Sequence, residues 1–325
     1  MSRPADTDRP VGTTPPARAT GPDGADGSAR TVQIDRTARG GRPASLWADA
    51  MRRLGRNRMA VGCGFFLVGL AVLCFGAPWI PGLSDPTLPD FDLGASAPTA
   101  AHWFGTDPLG RDLLARVLYG GRVSLAVGLV ATLVSLLIGV SYGAIAGFRG
   151  GKTDEIMMRV VDVLYSLPYI FLVILLLVFF SKSLLMLFVA LGLVQWLTMS
   201  RIVRGQVLSL KQQTFVEAAR ALGATDSRII FLHLVPNTLG PVIVYATLTI
   251  PAVMLQEAFL SFLGLGVQPP GASWGTLLDE GRKMMTLFPW LVIFPGLALA
   301  GTLFAFNFLG DGLRDALDPQ SRPTA

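Results

Sequence analysis

The chain has 325 residues, of which 51% are hydrophobic and 15% are charged, against roughly 25% charged residues in an average soluble domain. The mean hydropathy is +0.53, and the apolar runs of about 20 residues are long enough to cross a hydrocarbon core. This composition excludes a disordered chain or an ordinary soluble protein and predicts an all-α, multi-pass integral membrane protein. The formal net charge is +5, but the arginines lie at the edges of apolar runs, which indicates membrane topology and argues against nucleic-acid binding.

The chain contains two cysteines and two histidines. The two cysteines alone cannot make a disulfide framework or a four-ligand zinc site, and the two histidines, His102 and His233, lie far apart in the sequence. Cys63 and Cys74 lie in one apolar segment, about 16 Å apart along a helix axis, so they cannot bridge within that helix. We expect both to be packing residues, and we expect no metal site.

Residues 1–45 are rich in Pro, Gly, Ser, Thr, Ala and Asp and contain almost no large apolar side chains. Such a segment cannot bury enough surface to offset the entropy of ordering the chain, which predicts a disordered tail. It lacks the short apolar core and cleavage site of a signal peptide, so we expect it to be retained. Residues 46–81 combine a basic amphipathic stretch with the first membrane helix, and the positive-inside rule places the N-terminus in the cytoplasm.

Six membrane spans follow from the apolar runs and the charges between them. The predicted spans are 59–80, 123–148, a third that ends at 180 and is interrupted by Pro168, 184–202, 229–262 and 288–309. An extracytoplasmic loop, 82–121, follows the first span, and a cytoplasmic loop, 203–227, precedes the fifth. The five later spans form a core at 122–311, and residues 312–325 form a cytoplasmic tail.

Two spacings within the spans predict specific contacts. Gly139, Gly143 and Gly147 recur four residues apart, which predicts a smooth stripe for close helix packing. Asp162 follows Arg159 by three residues, a spacing that favours a helical ion pair.

The cytoplasmic loop predicts a short helix over 214–222. Thr214 is placed to cap this helix, and Glu217, three residues later, to complete a capping box. Gly223 is placed to end it, and Asp226 to cap a second helix that enters the membrane. The predicted unit is therefore a helix, a glycine corner and a second helix.

The first helix of this unit carries a small apolar face formed by Phe215, Ala219 and Leu222. Two interpretations stay open: an interfacial helix that lies on lipid, and a docking helix for another protein. Glu217 and Arg220 are spaced to pair and to hold the corner rigid. Small side chains would let a partner's backbone approach closely; they are Ala218, Ala219 and Ala221.

This segment resembles the EAA loop of ABC-importer permeases. The residues that carry the resemblance are Glu217-Ala218-Ala219, then Gly223, then Pro236-Asn237. The resemblance implies that the helix seats in a groove of an ATP-binding partner subunit and passes its motion to the permease. The residues assigned to this coupling are Glu217, Ala218, Ala219, Arg220 and Gly223.

Three other segments, 102–112, 257–266 and 307–319, resemble the C-type permease subunits of dipeptide, oligopeptide and nickel importers. The resemblance covers roughly residues 45–320 and implies the type I ABC-importer permease fold in a bacterial cell membrane, with both termini cytoplasmic. It also implies a homologous B-type permease, two ABC ATPase subunits and an extracytoplasmic substrate-binding protein as partners. Peptide would be the substrate, and membrane lipid the surroundings.

The outer loop contains a signature of six residues: Gly105, Thr106, Asp107, Gly110, Arg111 and Asp112. Its glycines suit tight turns, and its carboxylates and guanidinium suit charge-assisted bonds. Two interpretations stay open: a loop pinned by its own bonds, and a surface that contacts the binding protein or the sister permease.

Polar side chains within the spans are functional candidates, because each is costly in a membrane unless it is paired or hydrated. Gln256 and Glu257 are candidates to line the pore or to bind a peptide's ammonium group, with a structural bond to a neighbouring helix as the alternative. Asn237 and Gln195 are further pore candidates.

The sequence contains no Walker A motif and no supported catalytic constellation. We therefore expect no catalytic residue and no cofactor on this chain, with ATP and Mg on the partner ATPases. The predicted function is that of a permease subunit moving di- or oligopeptides into the cell by alternating access. The alternatives are nickel-chelate import within the same family and, from other classes, a stand-alone secondary transporter or an intramembrane enzyme.

Overall fold

The computed structural model describes residues 46–180 and 183–318. The predicted tail at 1–45, residues 181–182 between the third and fourth predicted spans, and the end of the predicted C-terminal tail, 319–325, lie outside the described residues. The regular elements in the described part are helices, accompanied by an isolated β-bridge between Thr106 and Asp112. The all-α architecture predicted from the composition is confirmed.

The described α-helices are numbered in chain order. They are α1 (Leu46–Arg56), α2 (Arg58–Gly76), α3 (Leu113–Arg149), α4 (Gly151–Ser166), α5 (Tyr169–Phe180), α6 (Leu184–Leu210), α7 (Thr214–Ala221), α8 (Asp226–Arg228), α9 (Val235–Phe262), α10 (Trp274–Arg282) and α11 (Trp290–Leu317). A 3-10 turn, Ala77–Trp79, follows α2, and a π-helical segment, Ile229–Leu234, joins α8 to α9. α8, the π-helical segment and α9 therefore run as one continuous helix, Asp226–Phe262.

Five segments of the described chain are long and apolar enough to cross a membrane. They are Arg58–Trp79, Leu113–Arg149, Leu184–Leu210, Asp226–Phe262 and Trp290–Leu317. The third predicted span corresponds to a bent pair, α4 and α5, which meet at 88° and make a sixth candidate span if the pair is counted as one. Pro168 has no N–H to give to the carbonyl of Leu164, which accepts from Leu167 N at 3.3 Å. The interruption predicted at Pro168 is thus a sharp bend.

The second span begins earlier than the sequence predicts. α3 starts at Leu113, with Asp112 as its N-cap, so the expectation that 82–121 is loop throughout is wrong over its last residues. The charged Arg116 makes this stretch read as a loop, yet its side chain is 3% exposed and paired. With 37 residues, α3 is about 55 Å long and extends beyond the hydrocarbon core.

α3 and α6 pack closely along the glycine stripe predicted from the sequence. A Cβ on Gly139 would lie 2.6 Å from Met199 Cβ, and one on Gly147 would lie 2.9 Å from Arg204 O. Gly143 faces the same helix. Because a side chain does not fit at such distances, the approach of the two helices requires glycine at these positions.

The ion pair predicted between Arg159 and Asp162 is wrong. Asp162 Oδ1 instead accepts a hydrogen bond of 2.7 Å from Arg201 Nη2 on α6. The guanidinium of Arg201 also lies 4.3 Å from the ring centroid of Tyr165 on α4. Arg201 therefore gains two favourable contacts on α4, a carboxylate and an aromatic face, and links the two helices.

Cys63 and Cys74 are free thiols. Cys74 is fully buried, and both side chains belong to or pack against the apolar cluster where α2, α3, α10 and α11 meet. The packing role predicted for the two cysteines is confirmed.

Candidate functional site

The start of α7 differs from the predicted capping box. Gln213 is the N-cap residue and Thr214 is the first helical residue, so the capping role predicted for Thr214 is wrong. The chain turns directly out of α6, where Gln213 N donates to Leu210 O at 3.1 Å, and this turn places Gln213 at the cap. The capping role predicted for Asp226 is also wrong, because Thr225 is the N-cap of α8 and Asp226 is its first residue.

The end of α7 agrees with the prediction. Gly223 has a φ of +77°, the left-handed conformation that favours glycine. Gly223 N donates to Arg220 O at 2.9 Å, and Ala224 N donates to Ala219 O at 3.0 Å. These two bonds make a Schellman motif, which satisfies carbonyls that the helix end would leave unpaired.

One side of α7 is anchored to the body of the protein. Val216 is fully buried in a cluster with Phe148, Ile229 and Leu234. Arg220 lies over the ring of Phe148, 5.2 Å from its centroid. The cluster joins α7 to α3 and to the start of the helix that runs into α9.

The other side of α7 is open. Leu222 is 89% exposed and Phe215 is 39% exposed, so these two members of the predicted apolar face are unpacked, whereas Ala219 packs against the buried cluster around Val216. Glu217 is also exposed and makes no ion pair with any described residue. The predicted pair between Glu217 and Arg220 is therefore wrong, because Arg220 packs against an aromatic ring instead.

The outer-loop signature centres on the buried carboxylate of Asp107. Its Oδ2 accepts from Arg111 Nε at 2.7 Å and from Arg116 Nη1 at 2.8 Å. Its Oδ1 accepts from the backbone N–H groups of Leu109 and Arg111. Arg116 Nη1 also donates to Glu280 on α10 at 2.7 Å. The carboxylate thus ties the loop to α3 and, through Arg116, to α10.

The remaining signature residues fix the loop's turns. Asp112 Oδ1 caps α3 by accepting from Ala115 N at 2.8 Å, and His102 Nδ1 lies 2.8 Å from Asp112 Oδ2. Thr106 Oγ1 donates to the carbonyl of Gly94 at 2.7 Å. The two signature glycines have positive φ values, +78° at Gly105 and +72° at Gly110. Of the two interpretations of the outer loop, the geometry fits a loop that is pinned by its own bonds.

Arg116 and Glu280 belong to this bonded network, but the sequence analysis did not identify them. A basic residue within an apolar helical stretch signals a buried charge pair, and Arg116 is such a residue.

Glu257 is enclosed by protein. It is 1% exposed, and its Oε1 accepts from Ser261 Oγ at 2.9 Å and from Ser273 Oγ at 2.6 Å. Ser273 is the N-cap of α10. Of the two interpretations of Glu257, the geometry fits a structural bond between α9 and a neighbouring helix.

Two other pore candidates lie together. Gln195 on α6 and Gln256 on α9 line a cleft of about 360 Å³ at the bend between α4 and α5. We call it the bend cleft; its polar lining residues are Tyr165, Tyr169, Gln195, Thr198 and Gln256. Asn237 lies apart, near the start of α9, where its Nδ2 donates to His233 O at 2.6 Å.

Comparison with protein families gives two matches. Residues 139–323 match the family described as binding-protein-dependent transport system inner membrane component. Residues 45–97 match the family described as the N-terminal TM domain of oligopeptide transport permease C.

Similar proteins cover nearly the same part of the chain. The oligopeptide transport system permease protein OppC of Haemophilus influenzae is 50% identical over 86% of this chain and 90% of its own length. The dipeptide transport system permease protein DppC of Bacillus subtilis is 46% identical over 86% of this chain and 87% of its own length. A chain of the MetNI methionine ABC transporter, in an inward-facing conformation, aligns with a TM-score of 0.52 at 21% identity, over 63% of this chain and 98% of that chain.

The structural likeness confirms the predicted importer-permease fold, and the sequence matches confirm the family resemblance drawn from the EAA loop and the three other segments. ATP hydrolysis in such systems belongs to a separate subunit, which agrees with the prediction that this chain is not itself an enzyme. The chain belongs to the family of binding-protein-dependent transport system inner membrane components: it is a multi-pass permease of an ABC importer.

Proposed function

We propose that this permease moves di- or oligopeptides into the cell. The observation that carries the substrate class is the identity of about half of all aligned residues to permeases named for oligopeptide and dipeptide transport. In the proposed assembly the chain pairs with a homologous B-type permease and two ATPase subunits. An extracytoplasmic binding protein delivers the peptide.

The open side of α7 is the proposed docking surface for one ATPase subunit. It presents an exposed leucine, Leu222, beside an exposed carboxylate, Glu217, and the small side chain of Ala218. A partner groove with apolar walls and a basic rim complements this surface. Ala219 and Arg220 lie toward the anchored side, and Gly223 forms the corner.

Motion of α7 would reach the membrane through its anchored side. Val216 shares a buried cluster with Ile229 and Leu234, the first and last residues of the π-helical segment below α9. Because packed clusters transmit displacement, a push on α7 shifts the base of α9 and the adjoining ends of α3 and α6. Alternating access then follows from rigid-body movement of these helices.

We also propose that both termini are cytoplasmic, and a contact and the distribution of charge support this orientation. A Cβ on Gly312, near the end of α11, would contact Asn57 at 3.4 Å, so the beginning of α2 and the end of α11 lie on one side of the membrane. Basic residues concentrate on this side, at Arg52, Arg53 and Arg56. The positive-inside rule then makes both ends cytoplasmic.

The test is transport by the complete importer in proteoliposomes that contain both permeases, the ATPase subunits and the binding protein. We expect ATP-dependent accumulation of labelled tri- and pentapeptides. Accumulation of a nickel chelate without peptide uptake would overturn the proposed substrate class. Peptide uptake that persists without the ATPase subunits would overturn the proposed coupling.

A further inference from the structure

The bend cleft has a lining suited to a particular chemistry. It contains two carboxamides, Gln195 and Gln256, the hydroxyl of Thr198 and two tyrosines, while its other lining residues are apolar. None of the residues that line it is charged. Arg201, close by on α6, is paired with Asp162 and lies against the ring of Tyr165.

The acceptor of Gln256 is left without a bond. Its Oε1 is shielded from solvent and accepts no hydrogen bond in the described part of the chain. A buried acceptor in this condition has lost its hydrogen bond to water without replacement. A donor that enters the cleft and meets this oxygen, after a small rotation of the side chain, restores the missing bond.

The bend cleft lies near the middle of the membrane span. Gln195 stands about 16 Å from the start of α6 and about 22 Å from its end, which places it near the middle of the span. The wall opposite is the broken backbone at Leu167 and Pro168. Polar groups at this depth are costly, so an uncharged polar cleft here points to a solute that passes through.

We propose that the bend cleft is a transient subsite for the peptide backbone, in which Gln256 accepts from a backbone N–H and Gln195 bonds a neighbouring amide. This inference rests on the proposed peptide import. A carboxamide both donates and accepts, as a peptide unit does, so it matches any backbone regardless of side chains. Without a charge to hold a peptide terminus, the site binds weakly enough to release its cargo, as passage through a membrane requires.

The test compares two cargoes in the complete importer reconstituted in proteoliposomes. One is trialanine, and the other is trialanine methylated at its backbone amides, which no longer donate. The variants are Gln256→Met and Gln195→Met, which remove a carboxamide at nearly constant size. Thr247→Val is the control, because that hydroxyl donates to Ile243 O on its own helix, away from the cleft.

We expect Gln256→Met to lower trialanine uptake by about three- to tenfold and to leave uptake of the methylated peptide within about twofold of wild type. The preference of the binding protein cancels, because the same binding protein serves every variant. Gln195→Met should change the ratio in the same direction, and it serves as the second variant if Gln256→Met assembles poorly. Thr247→Val should leave the ratio unchanged.

Peptide import with an unchanged ratio in both Gln variants would overturn the subsite while leaving the proposed function intact. An equal fall for both cargoes would also overturn it, since that result marks a structural role. A complete importer that moves a nickel chelate and no peptide would overturn the proposed function and the subsite together.

Discussion

Ser273 Oγ donates a hydrogen bond of 2.6 Å to Glu257 Oε1, and this contact ties the N-terminus of α10 to the buried face of α9. The same hydroxyl oxygen accepts from Thr276 N at 3.1 Å, as part of a capping box. One side chain therefore serves both a helix end and a buried carboxylate. The C-terminal end of α9 is held by this pair, while the helix that leads into its N-terminal end is held by the cluster around Val216.

Ser273→Ala should destabilise the protein by about 2 kcal/mol, because it removes a helix cap and a hydrogen bond to a buried carboxylate. The measurement is the free energy of unfolding of the detergent-purified complex in a denaturant series. Ser227→Ala, at an exposed position of α8, is the control and should have no effect. Equal stability of Ser273→Ala and wild type would contradict the role assigned to the contact.

Asp107→Asn should lower the free energy of unfolding by about 3 kcal/mol. Asp107 and Arg116 are both 3% exposed, and the substitution removes the negative charge that pairs with the buried guanidinium. Thermal unfolding of the purified complex measures the loss. Adding Arg116→Met to Asp107→Asn should recover part of it, since the unpaired charge is then gone. A double variant that is no more stable than Asp107→Asn alone would contradict the role assigned to the buried pair.

Gly223→Ala should uncouple transport from ATP hydrolysis. Apart from its chain neighbours, no described residue lies within 4 Å of a Cβ at Gly223. The free-energy cost of the substitution, about 1–2 kcal/mol, therefore comes from the left-handed backbone and falls on the corner. Uptake and ATPase activity are measured together in proteoliposomes. Gly205→Ala is a matched control, because its Cβ position is equally open and lies in the ordinary helix α6. Equal uptake by the two variants would remove the corner from the mechanism.

Glu217→Arg should lower peptide uptake about tenfold or more, because reversing an exposed charge at a docking surface opposes a basic partner rim. The fold should be preserved, since Glu217 makes no ion pair with a described residue. Asp92→Arg, an exposed charge reversal in the outer loop, is the control. Recovery of the ATPase subunits on affinity purification distinguishes lost docking from lost transport. Full recovery together with full uptake would contradict the docking role.

Local signals predicted the features that depend on one residue's own chemistry. Gly223 was identified as the end of α7, because a left-handed corner favours glycine, and the stripe at Gly139, Gly143 and Gly147 marks a close helix approach. Pro168 marked a break in the third span. The angle of that break, 88°, depends on packing around the bend and was not predictable from the proline.

Features that depend on distant partners could not be predicted from local patterns. Arg116 indicated a loop until Asp107 and Glu280 were seen to neutralise it within α3. Arg220 was expected to pair with Glu217, but tertiary packing gives it the ring of Phe148. Gln195 and Gln256 were each singled out as polar residues in spans, and only the packing of α6 beside α9 brings them into one cleft.

A photo-reactive amino acid in place of Leu222 would report whether α7 docks on an ATPase subunit. Leu222 is 89% exposed, and a probe at Val72, 66% exposed on the apolar surface of α2, is the matched control. In native membranes the probe at 222 should cross-link to an ATP-binding subunit, identified by mass spectrometry, while the probe at 72 should cross-link to lipid. Cross-linking to lipid from both positions would mean that α7 is an interfacial helix, and would overturn its proposed docking on an ATPase subunit.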